Sequence, residues 1–111
     1  MTGTGATRGP GRHELPEIDE AALAAARLAD AALEAARVAG VARWEAFLAP
    51  LPERLRDDPP AELWTVVRRA RAAYGPKDAI TDALPEDVAR AFREALDRLA
   101  RVLARWEAAE R

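Results

Sequence analysis

Cysteine and serine are both missing from this chain, and histidine occurs once, at His13. Without a thiol there is no disulfide framework, no thiolate nucleophile and no cysteine metal knuckle. Nucleophilic and general-base catalysis needs a hydroxyl, thiol or amine beside a proton acceptor that titrates near neutrality. With one histidine, one lysine (Lys77) and no serine, no such pair presents itself, so no catalytic residue is expected and the chain does not read as an enzyme. A carboxylate metal bundle needs inward glutamates and a Glu-x-x-His pair. No helical stretch carries a histidine, and the acids, Asp30 with Glu34 among them, fall on outward faces, so neither metal nor cofactor is expected. Phosphate loops and dinucleotide fingerprints are missing too, since Gly3 and Gly5 precede no strand and no helix start.

Long apolar runs are also lacking. Nowhere do about eighteen uncharged apolar residues follow one another, so no membrane span is expected. The start of the chain carries Arg8 and Arg12 among glycines and prolines with no apolar stretch, which predicts no signal peptide, and the cytoplasm is the expected location. Charge of one sign is not in excess. The formal net charge is −2, which provides no long-range pull on nucleic acid or on a membrane surface. Arginine supplies all but one of the basic residues and alanine is abundant, a bacterial-like composition that reflects a GC-rich genome rather than a function.

What remains is helix. The 111 residues are half hydrophobic and 32% charged, a globular balance for one domain. Residues 1–14 read as a flexible tail and residues 15–111 as a single helical domain. Leu-Pro-Glu occurs at Leu15-Pro16-Glu17, Leu51-Pro52-Glu53 and Leu84-Pro85-Glu86, and each triplet suits a helix start. The regular spacing invites a repeat reading, but in so Ala-, Arg- and Leu-rich a sequence chance similarity is the better explanation.

A first helix is predicted over residues 18–48. Ala21, Ala25, Leu28, Ala32, Ala35, Ala39 and Ala46 share a face opposite Arg27, Asp30, Glu34 and Arg37. Beyond Gly40 the pattern changes sides. Either the helix kinks there and turns Trp44 inward, or it stays straight and Val41, Trp44 and Leu48 form a second apolar surface. A straight helix would make that trio a candidate interface, with a two-fold homodimer as its simplest use. Four prolines around residues 51–58 predict a corner, after which Asp58 and Pro59 are expected as cap and first residue of a helix with Leu63, Val67, Ala70 and Tyr74 inward. The last helix, residues 85–109, has the clearest signal, with Val88, Phe92, Ala95, Leu99, Val102 and Trp106 stepping by fours and threes. Glu86 with Arg90, Glu94 with Arg98 and Asp97 with Arg101 suit pairing within that helix.

The fold expected is an all-α, up-and-down bundle of three principal helices joined by one or two short helical turns. The role expected is a small non-catalytic interaction or accessory subunit that presents helix faces to itself or to another protein. A helical nucleic-acid-binding regulator is the first alternative. It would use Arg68, Arg69 and Arg71, the one dense basic patch, beside Trp64, and residues 66–84 loosely suggest helix-turn-helix. Asp78 and Asp82 on the supposed recognition helix count against it. A ligand-binding bundle with an apolar pocket beside Trp64 or Trp106 is the second alternative.

Overall fold

The computed structural model describes residues 9–76 and 79–110. Five helices follow in order, α1 (Pro16–Ala39), α2 (Ala42–Leu48), α3 (Leu51–Asp57), α4 (Pro60–Arg71) and α5 (Glu86–Glu110), with single 3-10 turns at Arg12–Glu14, Ala72–Tyr74 and Ile80–Asp82. Among the described residues there is no strand. The all-α bundle is thus observed, with α1, α4 and α5 as its principal helices.

The alanines of α1 explain its central place. Ile18, Ala21, Ala22, Ala25, Ala26, Ala29, Ala32, Leu33 and Ala36 are all buried, more than one stripe of the helix. Short side chains let neighbours approach closely, and α5, α3 and α2 all pack against this helix. Arg27, Asp30, Glu34 and Arg37 face solvent as expected, whereas Ala39 and Ala46, expected inward, are exposed. The two long helices run antiparallel. Glu17 near the start of α1 meets Arg105 near the end of α5 at 2.7 Å, and Glu20 meets Arg98 at 3.1 Å.

The single helix expected over residues 18–48 is two helices. Gly40 sits at φ 71°, ψ 29°, in the left-handed region that disfavours a side chain. The amide of Val41 donates to the carbonyl of Ala36 and that of Gly40 to Arg37, each at 3.1 Å, which closes α1 in a Schellman cap. Gly40→Ala is therefore expected to cost about 1 to 2 kcal/mol of stability through the backbone alone, since a Cβ there would meet nothing within 4 Å. Chemical denaturation reads this directly, and an unchanged midpoint would show that the turn tolerates a side chain.

The proline triplets do start helices. Pro16 and Pro52 occupy the first turns of α1 and α3, where a missing amide costs little, and Pro85 precedes α5 and accepts from Ala89 at 3.0 Å. Asp58 departs from its expected role as the cap of α4. That helix begins at Pro60 with no side-chain cap, because the Asp58 carboxylate turns back to Arg54 at 2.9 Å.

On α5 the fully buried line is Ala89, Phe92, Leu96, Leu99 and Leu103, so Val88, Ala95 and Trp106 flank the core rather than centre it. Glu86 and Arg90 pair within the helix at 3.8 Å. Arg98 instead reaches Glu20 of α1, and Asp97 reaches Arg71 of α4 at 3.3 Å, so two of the three expected local pairs are drawn across helices.

Of the expected tail, residues 1–8 lie outside the described residues. Arg12–Glu14 is a turn tied to the bundle. The Arg12 side chain is 12% exposed and bridges Asp19 at 2.7 Å through Nε. Its Nη1 donates to the carbonyls of Leu55 at 3.0 Å and Asp58 at 2.8 Å. Those carbonyls lie at the end of α3, where the helix leaves its acceptors without amide partners and where positive charge is favoured.

Candidate interaction face

The break at Gly40 decides where the aromatic residues of α2 go. Trp44 is 6% exposed and Leu48 fully buried, both in the same core as Leu99, and Val41 packs half-buried against it. The surface reading of Val41, Trp44 and Leu48 rested on a straight helix, and the Schellman cap removes that premise. Between these inward residues, α2 presents Arg43 and Phe47 toward the outside.

The sequence pattern around Trp64 continues onto this helix. Arg68 lies over the Trp64 ring at 5.4 Å, as its spacing on α4 allows. Arg69 lies over the Phe47 ring at 5.4 Å, a side-chain contact that reaches from α4 to α2. Phe47 meets Trp44 edge to face at 5.4 Å, and Arg43 covers Trp44 at 4.8 Å. Three guanidiniums thus lie on three rings across α2 and α4, and all three arginines are exposed at the residue level. Arg71, the third member of the expected basic patch, is bound to Asp97 of α5 and stands apart from these stacks.

Sequence reasoning found Arg68, Arg69 and Trp64 through helical spacing and missed Arg43 and Phe47. The local signal for them was Arg43 beside Trp44, with Phe47 one turn on. The link to Arg69 is long-range and has no periodicity to betray it.

The helix-turn-helix reading loses its second helix. The described residues after the turn form only the 3-10 turn Ile80–Asp82, with Ile80 fully buried, while Lys77 and Asp78 lie outside the described residues. Beside that turn a cleft of about 460 Å³ is lined by Tyr74, Thr81, Asp82, Glu86, Arg90 and Arg93. The Tyr74 hydroxyl donates to the carbonyl of Ala89 at 2.6 Å, and Arg93 lies over the ring at 5.6 Å. Burial pushes the phenol up from 10.0 to about 12, with Arg93 pulling it down and Asp97 adding to the rise. The fold therefore favours the protonated phenol. Its contribution to stability is present below pH 10 and is lost as pH rises from 10 toward about 12. Because Tyr74 is the sole tyrosine, phenolate absorbance should show it titrating near 12. Ionisation at the ordinary value would mean that the hydroxyl is solvated.

An apolar cleft of about 270 Å³ opens at the end of the bundle, where Leu15, Pro16, Ile18, Val102 and Trp106 meet beneath Glu14 and Glu17. Small-molecule pockets generally begin near about 300 Å³ and bury most of their ligand. Among the described residues no three His, Asp or Glu side chains gather as a metal site, and no helix is long and apolar enough to cross a membrane.

No protein-family model, curated protein or solved structure matches this chain.

Proposed function

We propose that this chain is a small non-catalytic interaction module, an accessory subunit that presents the α2–α4 face to another protein. The concentration of arginine–aromatic stacks on that face carries the reading. Arginine and aromatic residues are enriched at protein interfaces and dominate their binding energy. Guanidiniums held over rings are ordered before a partner arrives, which lowers the entropy cost of association. The Trp44 and Leu48 side chains, enclosed in the chain's own core, no longer call for a second copy to cover them.

The nucleic-acid alternative draws on the same arginines, but Arg71 is engaged by Asp97 and the net charge is slightly negative. A photo-crosslinking residue in place of the exposed Thr65, one turn before Arg68 and Arg69, tests the reading in the native host. The expected result is a protein adduct, identified by mass spectrometry and re-formed with the purified partner. It should be lost in Arg68→Glu/Arg69→Glu and absent when the crosslinker replaces exposed Ala108 on α5. Adducts to nucleic acid, or none that depends on Thr65, would overturn it.

A further inference from the structure

The stacked arginines carry information about the partner's chemistry as well as its docking place. We propose, resting on the interaction reading above, that the α2–α4 face binds an acidic amphipathic helix of another protein. The partner's carboxylates are gripped by Arg68 and Arg69 while its apolar side rests on the half-buried rings of Phe47 and Trp64.

The geometry of a stacked guanidinium leads to the carboxylate. Stacking uses the flat face of the group and leaves its in-plane N–H fork free to donate two parallel bonds, the arrangement that suits a carboxylate. Arg68 and Arg69 are oriented by rings at 5.4 Å, whereas Arg12, Arg54, Arg71, Arg98 and Arg105 are oriented by carboxylates of this chain. Both residues are exposed, so N–H donors not turned to a ring are open to a carboxylate from outside.

The relief of α4 leads to a helix. Besides Arg68, Arg69 and Arg71, the exposed positions of α4 are Ala61 and Thr65, followed by Ala72, all three short. Short side chains beside long ones form a groove into which a partner's ridge can settle at close interaxial distance. Phe47 and Trp64 offer apolar ring surface at the same level, so the occupant needs an apolar stripe next to its acidic one, the pattern of an amphipathic helix.

Nucleic acid fits this surface less well. A phosphate rail draws on dense positive charge, whereas the net charge is −2 and Arg71, the neighbouring arginine of α4, is engaged by Asp97.

The test uses defined probes with the full-length protein. A synthetic amphipathic helical peptide with a glutamate ladder beside a leucine stripe is titrated by fluorescence anisotropy. Its twin with lysine for glutamate and a DNA duplex are titrated in parallel. The glutamate peptide is expected to bind at least about tenfold more tightly than the lysine twin, a difference of about 1.4 kcal/mol. That preference should vanish in Arg68→Glu/Arg69→Glu, weaken in Arg68→Lys/Arg69→Lys, which keeps the charge and loses the fork, and persist in Arg27→Glu on α1. Helical circular dichroism confirms that each variant is folded. Equal binding of the two peptides, a preference untouched by the glutamate variants, or tighter binding of the duplex would overturn the proposal. A Thr65 protein adduct together with failure of the glutamate peptide would sink the acidic-helix inference and leave the interaction reading standing. Absence of the adduct would sink the reading itself.

Discussion

Truncating Leu99 to alanine is expected to lower the free energy of unfolding by about 2 to 5 kcal/mol, the cost of removing a buried leucine and leaving a cavity. Leu99 is fully buried at the middle of the α5 line, with Leu96 and Leu103 a turn away on either side. The size of the loss follows from what packs on α5. The buried face of α1, which packs on it, is chiefly alanine, and an alanine has no flexible side chain that could swing into a vacated space. The backbone of α1 is held in turn by its contacts with α2 and α3, which resist a helix shift into the hole. Urea denaturation of Leu99→Ala checks this, and a change below about 1 kcal/mol would show that Leu99 is not core.

The second large effect is expected at Arg12. Arg12→Ala should cost about 2 to 4 kcal/mol, because hydrogen bonds to a charged group contribute about 1.5 to 3 kcal/mol each and truncation leaves the acceptors without partners. The guanidinium joins three parts of the chain, its own turn, Asp19 on α1 and two carbonyls at the end of α3. Asp19→Ala should cost less than Arg12→Ala, since the carbonyl bonds survive without the carboxylate. Arg12→Lys should fall between, because a single ammonium cannot reach both sets of acceptors. Equal stability of Arg12→Ala and the wild type in thermal melts would show that the turn at Arg12–Glu14 is not anchored to the bundle.

Periodicity made α5 readable from its residues because a long amphipathic helix repeats its signal over many turns. The inward face of α4 was readable for the same reason, with Leu63, Val67 and Ala70 all fully buried. Gly40 was ambiguous because a glycine within a helical pattern can be tolerated, kink the helix or end it, and the deciding bonds to Ala36 and Arg37 form only once the chain has turned. Arg12 lay in a glycine-rich stretch whose composition argues against structure, while the two carbonyls it binds are more than forty residues distant. Local charge rules placed Asp97 with Arg101 and Glu94 with Arg98. Exposed pairs of that kind contribute little, so tertiary neighbours such as Arg71 and Glu20 could redirect them. The candidate face was readable only where it lies on one helix. Arg68 over Trp64 is a spacing along α4, whereas Arg69 over Phe47 depends on how α2 and α4 meet.

The turn at Gly40 closes the chain's own core over Trp44. The most direct test of that closure is the fluorescence of a Trp64→Phe/Trp106→Phe variant, in which Trp44 is the one indole that remains. With light scattering showing a monomer, Trp44 emission is expected to be blue-shifted and protected from a soluble quencher, as its 6% exposure requires. Red-shifted, freely quenched emission from a folded monomer would place Trp44 on the surface and show that the turn at Gly40 does not close the core over it.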